Sequence, residues 1–435
     1  MNNANTILNK IKKNEFVVGI VGLGYVGLPL AVSFASKNVK TIGFEKSISK
    51  AAKVNQKINY IGDVNSQELI NAVENHYLEA TNDFSRLKEC SAILICVPTP
   101  LDHFKKPNMD FIESACKEIG QNMNKGTFIC LESTTYPTTT EDFMLPIIEK
   151  ESSLKEGTDF WLAFSPERVD PGNKVYGTRN TPKVLGAISE EGLEIGKALY
   201  SYAIDTVYPV SSPKTAEMVK ILENTYRLIN ISLINELALL CGKMDIDIWE
   251  VIEAAKTKPY GFQAFYPGPG IGGHCIPLDP FYLEHIAKRF NFDLSMIHTA
   301  GHIDMMMPHR MVIKISTALN RHKKSINGSK ILILGVAYKP DIDDERESPA
   351  LKIIDEIAKK GGIVSYYDPY IPSVNTEDST YKSINLTKET LNEYDCVVIT
   401  TNHTSFDIVF IVANSKLIVD LRNATKESSP NIYKL

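Results

Sequence analysis

The amino-acid sequence predicts an α/β protein with two parallel-sheet domains and a long helix between them. Three observations support this fold. The chain begins with a β-rich run at Phe16–Val21, a glycine turn at Gly22–Gly27 and an apolar helical stretch at Leu28–Ser36. Apolar β-runs then alternate with helical patterns, as they do in doubly wound sheets. A similar alternation starts again at Lys330, after a long helical pattern.

The first domain is expected to extend over residues 1–208. Its strand candidates after the glycine turn are short apolar runs that read as buried strands. These runs are Lys40–Phe44, Ser91–Val97, Thr127–Glu132, Ala163–Ser165 and Lys183–Gly186, and a helical pattern lies at Met109–Asn122.

Residues 209–305 are expected to form a central helical region. Ser211 and Ser212 are good N-caps, Pro213 suits the first helical turn and Gly242 suits a C-terminal stop. The stretch between them is apolar on more than one face, so we expect burial on several sides. Such a helix is typical of a homodimer interface, and a purely intramolecular core explains it nearly as well.

Residues 306–435 are expected to hold a second, smaller parallel sheet. A helix should run from the Met305–Pro308 segment to about Arg321, before a turn at Ile326–Gly328. The strand candidates are Lys330–Val336, Ile363–Tyr367, Asp395–Thr400 and Lys416–Leu421. The first strand is followed by Gly335–Tyr338 and not by a second G-x-G-x-x-G, so we place no second dinucleotide in this domain.

Composition limits the possible partners and compartments. The chain has 435 residues and a formal net charge of −5, without a basic tract, so nothing favours a nucleic acid or a membrane surface as partner. The longest apolar runs are too short to span a bilayer, and the polar N-terminus does not resemble a secretion signal. The seven cysteines lack zinc spacing, so we expect reduced thiols in a cytoplasmic protein and no metal site.

The glycine turn indicates a dinucleotide site. Gly22, Gly24 and Gly27 form a G-x-G-x-x-G motif between a strand and a helix, which is the context that the motif requires. The first glycine permits a tight turn, the second lets the backbone approach a pyrophosphate and the third allows close helix packing. Glu45 ends the second strand, where its carboxylate favours NAD over NADP. The alternative is a glycine turn without a ligand.

A second glycine-rich turn surrounds one cysteine. Tyr266–Asp279 reads Y-P-G-P-G-I-G-G-H-C-I-P-L-D, and its glycines could let backbone amides form an anion-binding nest. Asp279 and Pro280 start a predicted helix at Phe281–Phe290, so Cys275 lies where a thiolate is favoured. A thiolate beside a dinucleotide domain indicates oxidation through a thiohemiacetal and a thioester. An inert Cys275 and a purely capping Asp279 remain open alternatives.

Two polar residues share one face of the central helix. Lys220 and Asn224 are one helical turn apart. If they are buried they need partners, and one use for such a pair is to hold a developing oxyanion. The alternative is a solvated stripe in which Glu217 and Glu223 are ion-pair partners.

Together these motifs resemble the UDP-glucose/GDP-mannose dehydrogenase family, and the likeness covers nearly the whole chain. The matching segments are Gly22–Pro29, Cys96–Pro100, Glu132–Thr134, Ser165–Arg168, Glu217–Lys220 followed by Asn224, Gly272–Asp279, and Gly335–Pro349 with its Y-K-P-D and R-E-S-P. The resemblance implies an N-terminal Rossmann-type NAD domain, a central long helix used in dimerisation and a C-terminal Rossmann-like UDP-binding domain. It also implies a four-electron oxidation that uses two NAD molecules in turn.

The resemblance also implies roles for individual residues. Cys275 would be the nucleophile, Lys220 and Asn224 would stabilise the oxyanion with help from Asp279, and Glu167 and Thr134 would direct water. The cofactor residues would be Gly22, Gly24, Tyr25, Val26, Gly27, Glu45, Pro98, Thr99, Thr134 and Arg346. The substrate residues would be Glu167, Arg168, Lys220, Asn224, Tyr260, Gly261, Phe262, Gly272, Lys339 and Arg422. Two positions depart from the family pattern: Glu45 replaces the commoner aspartate, and Asp304 replaces an asparagine.

Three details indicate the sugar. The cysteine turn, Ser165–Asn173 and Tyr260–Gly270 are similar to those of UDP-N-acetylglucosamine 6-dehydrogenases, whereas the UDP-glucose branch usually has P-E-F-L and S-C-F-P-K-D. We therefore expect oxidation of UDP-N-acetylglucosamine at C6 for surface polysaccharide precursors. UDP-N-acetylmannosamine, UDP-N-acetylgalactosamine and UDP-glucose are the alternative substrates. Two rival classes are a two-electron dehydrogenase of the 3-hydroxyacid or 6-phosphogluconate type and a catalytically silent nucleotide-sugar binding protein.

Overall fold

A computed structural model describes residues 3–100, 107–170, 172–173, 175–273, 275–426 and 429–435. His274, which precedes Cys275 in the sequence motif, lies outside the described residues. The chain forms two compact units. The first unit comprises residues 1–223 and 281–292, and the second comprises residues 224–280 and 293–435.

The first unit is a Rossmann-type α/β domain. Its elements in chain order are α1 (Asn3–Lys12), β1 (Val17–Val21), α2 (Gly27–Ala35), β2 (Lys40–Phe44), α3 (Ile48–Asn55), α4 (Ser66–Glu74), β3 (Leu78–Thr81), β4 (Ala92–Ile95), α5 (Asp110–Asn122), β5 (Thr127–Leu131), α6 (Leu145–Ser152), β6 (Phe160–Phe164), β7 (Lys183–Ala187), α7 (Glu190–Tyr200) and β8 (Val207–Val210). A 3₁₀ helix at Phe84–Glu89 and a π-helical turn at Thr139–Met144 complete it.

Eight strands of the first unit form one sheet in the order β3-β2-β1-β4-β5-β6-β7-β8. All neighbouring pairs are parallel except β6 with β7. The strands β4, β5, β6 and β7 are buried along their whole length because helices cover both faces of the sheet. The carboxyl ends of β1, β4 and β5 therefore meet at one edge, where ligands bind in sheets of this kind.

The predicted central helix is present as α8 (Pro213–Lys243). Its start agrees with the expected cap, because the Ser212 hydroxyl accepts a hydrogen bond from the Thr215 N–H at 3.3 Å. The helix begins in the first unit and ends in the second. It is followed by α9 (Ile248–Lys256) and by α10 (Asp279–Ala287), which continues as a 3₁₀ turn to Phe290.

The second unit is built around a smaller parallel sheet. Its remaining elements are α11 (Ser295–Arg321), β9 (Lys330–Leu334), α12 (Pro349–Lys359), β10 (Ile363–Tyr367), β11 (Ser373–Asn375), β12 (Thr380–Lys382), α13 (Lys388–Glu393), β13 (Cys396–Ile399), α14 (Ile408–Asn414), β14 (Ile418–Asp420) and β15 (Ile432–Lys434). Five strands pair in the parallel order β10-β9-β13-β14-β15, and β11 and β12 form a separate hairpin.

The structure confirms the α/β fold class and most strand positions to within two residues. The helix expected near Met305–Pro308 differs, because α11 already begins at Ser295 and contains Pro308 in its interior. Pro308 and the neighbouring Met307 are both buried, and Met307 belongs to the core of the second unit. Tertiary packing therefore outweighs the helix-breaking tendency of proline at this position.

Candidate active site

The glycine turn of the first unit has the geometry that a dinucleotide requires. Gly22 has a φ of +94°, and a Cβ there would lie 2.8 Å from the Cys96 carbonyl oxygen. A Cβ on Gly27 would lie 1.8 Å from the Gly22 carbonyl oxygen, whereas a Cβ on Gly24 would meet no atom within 4 Å. Two glycines are therefore needed for packing, and Gly24 leaves its backbone accessible to a pyrophosphate.

Glu45 holds the glycine turn from the end of β2. Its Oε2 accepts a hydrogen bond from the Leu23 N–H at 3.1 Å, and its Oε1 accepts one from the Ser47 N–H at 3.0 Å. Tyr60 supports the same turn by donating to the Leu23 carbonyl at 2.8 Å. Burial, and secondly the charge of Glu45, raises the pKa of Tyr60 to about 12, so this hydroxyl remains a donor at neutral pH.

The other predicted cofactor residues of the first unit lie at the same edge of the sheet. Pro98 and Thr99 follow β4, and Thr134 follows β5 as a half-buried residue. The Tyr282 hydroxyl of α10 donates a hydrogen bond to the Thr99 carbonyl. Tyr25 is half exposed at the glycine turn and Val26 is half-buried beside it. Sequence reasoning missed Tyr282, because nothing local links it to Thr99.

The first turns of α8 hold the loops that follow β5 and β6. Lys220 donates from Nζ to the Glu167 carbonyl at 2.7 Å, and Glu223 forms an ion pair with Arg168 at 2.7 Å. Glu217 is fully buried and accepts three hydrogen bonds from the loop after β5. The solvated-stripe hypothesis is therefore wrong, because Lys220 is only 8% exposed and Glu217 binds backbone and hydroxyl groups.

Glu217 was not predicted as a site residue. Its Oε2 accepts from the Thr138 N–H at 2.6 Å, and its Oε1 accepts from the Thr140 N–H at 2.9 Å and the Thr140 hydroxyl at 2.7 Å. Burial raises its pKa to about 7, although these hydrogen bonds oppose the shift. The only signal in the sequence is that Glu217 lies three positions before Lys220 on an apolar helix. This position does not tell whether the glutamate is buried or exposed.

Glu167 has a defined orientation next to Lys220. Its Oε1 accepts hydrogen bonds from the backbone N–H groups of Arg168 and Val169, both at 2.8 Å. Arg168 also donates to the Pro182 carbonyl at 2.8 Å and lines a surface cleft of about 480 Å³ together with Tyr208. The structure thus brings together Glu167 and Lys220, two of the residues predicted to be catalytic.

In the second unit the structure brings together another predicted pair. The Asn224 amide donates to Asp279 Oδ2 at 2.5 Å, and both side chains are buried. Cys275 is exposed just before α10, and its carbonyl accepts hydrogen bonds from the N–H groups of Leu278 and Asp279. Cys275 thus lies at a helix N-terminus, where the helix dipole favours a thiolate.

The glycines of the cysteine turn have a different role from the expected anion-binding nest. The N–H groups of Gly268, Ile271 and Gly273 are hydrogen-bonded to Asn235, Asp304 and the Arg346 carbonyl. These amides therefore bind groups of the protein, and the anion-nest interpretation is wrong for them.

Close packing explains why glycine is required in this turn. A Cβ on Gly268 would lie 2.3 Å from Nη1 of Arg422, and a Cβ on Gly273 would lie 2.8 Å from the Tyr338 ring. Arg422 is fixed in this position by the bond from its Nε to the Thr400 carbonyl at 2.8 Å. The predicted substrate residue Arg422 thus packs against Gly268, and a Cβ on Gly272 would lie 2.6 Å from the Cβ of Tyr338.

The other six cysteines are free thiols, as expected, and none of them is exposed. Five of them (Cys90, Cys96, Cys116, Cys130 and Cys396) are buried and Cys241 is half-buried. Burial raises the pKa of Cys90 to about 12 and raises those of the other four buried thiols as well. These thiols are therefore protonated and poor nucleophiles at neutral pH.

Most of the other predicted site residues of the second unit are exposed. Tyr260 is 73% exposed after α9, next to Gly261 with its positive φ, and Phe262 is also exposed. Arg346 forms an ion pair with Asp344 at 2.6 Å, and Lys339 is half-buried in the loop after β9.

Within the described segments, no group of three or more His, Cys, Asp and Glu side chains is placed to hold a metal ion. None of the described helices combines the length and the apolar character needed to cross a membrane.

Comparison with known proteins identifies the family. The three domains of the UDP-glucose/GDP-mannose dehydrogenase family match this chain: the NAD-binding domain at residues 16–204, the central domain at 214–305 and the UDP-binding domain at 332–427. A UDP-N-acetyl-D-glucosamine 6-dehydrogenase from Pseudomonas aeruginosa is 34% identical over 92% of this chain and 91% of its own.

Solved structures agree with this result. The UDP-D-ManNAc dehydrogenase of Pyrococcus horikoshii superposes with a TM-score of 0.88 and 32% identity, covering 96% of this chain and 98% of its own. An NDP-N-acetyl-D-galactosaminuronic acid dehydrogenase from Methanosarcina mazei Go1 gives a TM-score of 0.82 at 29% identity, over 100% and 97% of the two chains. The chain therefore belongs to the UDP-glucose/GDP-mannose dehydrogenase family and is an NAD-dependent UDP-sugar dehydrogenase.

Proposed function

We propose that the protein oxidises UDP-N-acetylglucosamine at C6 to UDP-N-acetylglucosaminuronate, in two steps and through a thioester on Cys275. The observation that carries the covalent mechanism is the placement of Cys275, an exposed thiol at the N-terminus of α10, in a chain whose other cysteines are buried or half-buried. The choice of sugar rests on the sequence motifs and on the name of the Pseudomonas aeruginosa relative. The name of the Pyrococcus horikoshii protein makes UDP-N-acetylmannosamine the second candidate.

The reaction follows from groups of this chain. NAD at the glycine turn supplies the acceptor for one hydride in each of the two oxidations. The Cys275 thiolate attacks the C6 aldehyde formed in the first oxidation and gives a thiohemiacetal. Lys220 and Asn224 donate hydrogen bonds to the oxyanion that develops at this carbon. Asp279 is a positioning residue, because it holds the Asn224 amide at 2.5 Å.

The second oxidation converts the thiohemiacetal into a thioester, which water then cleaves. Glu167 is proposed to accept the proton of that water while Thr134 orients the water, so that hydrolysis releases the uronic acid and restores the thiol. The fixed Glu167 carboxylate, with two backbone donors at 2.8 Å, supports this role. Two NADH form for each sugar, which balances the four electrons lost by C6.

The other proposed contacts follow the family resemblance. For the cofactor they involve Tyr25, Val26, Pro98, Thr99 and Arg346. For the substrate they involve Arg168, Tyr260, Gly261, Phe262, Gly272, Lys339 and Arg422. We propose three functional regions with these roles, at residues 1–208 for NAD, 209–305 for catalysis and dimerisation, and 306–435 for the UDP-sugar.

We also propose that the protein is a cytoplasmic homodimer without nucleic-acid or membrane partners. The support is an apolar stripe on α8 that is exposed in the single chain. Leu222, Tyr226, Leu233, Leu237 and Leu240 form this stripe, each between 38% and 60% exposed. Their spacing of three, four or seven residues places them on one face of the helix, and apolar stripes of this kind mark protein interfaces.

A substrate panel tests the proposed reaction. The purified protein is supplied with NAD and, separately, with UDP-N-acetylglucosamine, UDP-N-acetylmannosamine, UDP-N-acetylgalactosamine and UDP-glucose, and NADH is counted per uronate. We expect the highest kcat/KM for UDP-N-acetylglucosamine and a ratio of two. A ratio of one would eliminate the four-electron mechanism in favour of the two-electron class. NADH formation with none of the four sugars would favour a silent binding protein.

A serine variant tests the covalent step. Cys275→Ser should lose turnover by orders of magnitude while it still binds NAD and UDP, because a serine hydroxyl without a base is a poor nucleophile. Cys241→Ser is the matched control, since Cys241 is the other cysteine that is not fully buried, and it should retain activity. Near-wild-type turnover of Cys275→Ser contradicts covalent catalysis.

A further inference from the structure

A buried histidine in the second unit has both ring nitrogens engaged. His403 is 1% exposed, its Nδ1 lies 3.0 Å from the backbone nitrogen of Asp341 and its Nε2 lies 3.0 Å from Asp368 Oδ2. A backbone N–H can only donate, so Nδ1 must be the acceptor and carry no proton. Nε2 therefore carries the proton and donates to the Asp368 carboxylate. The surroundings thus fix the imidazole in one neutral tautomer.

Asp368 is the centre of this network. It follows β10, and its Oδ2 accepts hydrogen bonds from the N–H groups of Val336 at 2.7 Å and Ala337 at 3.1 Å. Its Oδ1 accepts two more, from the N–H groups of Tyr370 and Ile371. Burial acts to raise the pKa of Asp368, but the hydrogen bonds from His403 and the backbone outweigh it and keep the pKa below its usual value. The carboxylate is therefore ionised and binds the turn after β9.

The dyad of His403 and Asp368 fixes a loop at both ends. Asp368 holds the start at Val336 and Ala337, and His403 holds the end at the Asp341 N–H. The Asp341 carboxylate also accepts from the Thr404 N–H at 2.8 Å. Asp341 has a φ of +62°, which an aspartate adopts only at an energetic cost. The two hydrogen bonds at Asp341 offset that cost and hold the end of the loop in place.

This loop contacts the cysteine turn. Tyr338 belongs to this loop and packs against the backbone of Gly272 and Gly273. A Cβ on Gly272 would lie 2.6 Å from the Cβ of Tyr338, and a Cβ on Gly273 would lie 2.8 Å from the Tyr338 ring. Gly273 is separated from Cys275 by one residue. Lys339, the proposed substrate residue, is the next residue of the same loop. A shift of the loop therefore moves both the support beneath the cysteine turn and Lys339.

We propose that His403 and Asp368 are positioning residues for the reaction, acting through the loop of residues 336–341 on the Cys275 turn and on Lys339. This inference rests on the proposed function for the roles of Cys275 and Lys339. The dyad touches neither substrate nor cofactor in this scheme, and its effect is transmitted by the Asp341 hydrogen bond and the Tyr338 ring. The alternative is a dyad that only stabilises the second unit.

Two substitutions at His403 separate its two hydrogen bonds. In His403→Asn the side-chain oxygen takes the place of Nδ1 and can still accept from the Asp341 N–H. In His403→Gln the amide nitrogen takes the place of Nε2 and can still donate to Asp368, but the Asp341 N–H loses its acceptor. Each variant keeps one of the two hydrogen bonds of His403 and loses the other, and only the glutamine variant removes the acceptor of the Asp341 N–H.

The test measures UDP affinity by calorimetry and the rate at which iodoacetamide alkylates Cys275, read by peptide mass spectrometry. We expect His403→Gln to weaken UDP binding about tenfold and to change the alkylation rate several-fold, since a buried donor is left without its acceptor. His403→Asn should stay within about twofold of the wild type on both measurements. Thermal unfolding of both variants reports the shared effect on the fold.

The outcomes distinguish a failure of the positioning role of His403 and Asp368 from a failure of the proposed function. Equal effects of the two variants on UDP binding and alkylation, or no effect of either, overturn the positioning role. If His403→Gln does not fold, Tyr338→Ala takes its place, because it removes the ring from the cysteine turn and leaves the dyad intact. An unchanged alkylation rate in that variant also overturns the proposal. A wild-type protein that neither binds UDP nor oxidises any UDP-sugar instead contradicts the proposed function itself.

Discussion

Glu217 allows a quantitative test of the first unit, because its carboxyl group is fully buried and yet ionisable near neutral pH. Burial raises its pKa from the usual 4.5 to about 7. The pKa of this group is higher in the folded state than in the unfolded state. At pH values between the two pKa values, the folded protein therefore binds more protons than the unfolded chain. The free energy of unfolding therefore decreases as pH rises through this interval. The stabilisation is fully present below pH 4.5 and is lost as pH rises past about 7.

The two pKa values set the size of the effect. With 4.5 for the unfolded chain and about 7 for the folded one, this group lowers the free energy of unfolding by about 2.5 kcal/mol between pH 5 and pH 8. Glu217→Gln removes the titration. The glutamine amide would face a backbone N–H of Thr138 or Thr140, which costs about 1–3 kcal/mol. That cost is the same at both pH values and cancels in the comparison.

The assay is urea unfolding at pH 5 and pH 8 in a Trp249→Phe background, so that the buried Trp161 reports on the first unit alone. The quantity compared is the free energy of unfolding of the Trp249→Phe parent minus that of the same protein with Glu217→Gln. This difference should decrease by about 2.5 kcal/mol from pH 5 to pH 8. Glu15→Gln, at an exposed position of the first unit, is the control and should show a constant difference. A constant difference for Glu217→Gln as well would refute the burial of an ionisable carboxyl group at this position.

Three further predictions concern catalysis, substrate binding and assembly. Lys220→Ala should lower kcat about a hundredfold or more, because it removes an oxyanion donor. Lys214→Ala changes an exposed residue of the same helix and should leave kcat unchanged. Equal kcat values for the two variants would show that Lys220 has only a structural role. Gly268→Ala should weaken UDP binding in calorimetry, because its Cβ would displace Arg422. Gly242→Ala is the control, since Gly242 has open space around it. Unchanged UDP affinity of Gly268→Ala would show that Arg422 does not contact the substrate. Leu233→Asp should convert a dimer into monomers in sedimentation analysis, because it places a charge on the apolar stripe of α8, and a dimer that persists would exclude this face as the interface.

Local sequence patterns predicted many of the elements and several residues of the candidate site, whereas β3, β8, β11, β12 and β15 were not predicted. Strand and helix periodicity, the cap at Ser212 and the two glycine turns depend on residues close in sequence, so they could be read without coordinates. The same holds for Cys275, which the glycine-rich turn and the following helix start set apart from six other cysteines. The whole-chain pattern of motifs then indicated the family, which the domain matches confirm.

Tertiary structure alone decided which polar groups meet. Glu217 bonds to a loop 77 residues away, Lys220 to a carbonyl 53 residues away and His403 to a carboxylate 35 residues away. No periodicity encodes such pairs, because burial and hydrogen-bond partners depend on how distant segments pack. The packing of distant segments also explains why the anion-nest interpretation of the cysteine turn was wrong. Its glycines admit Arg422 and Tyr338, two side chains that approach from segments far away in the sequence.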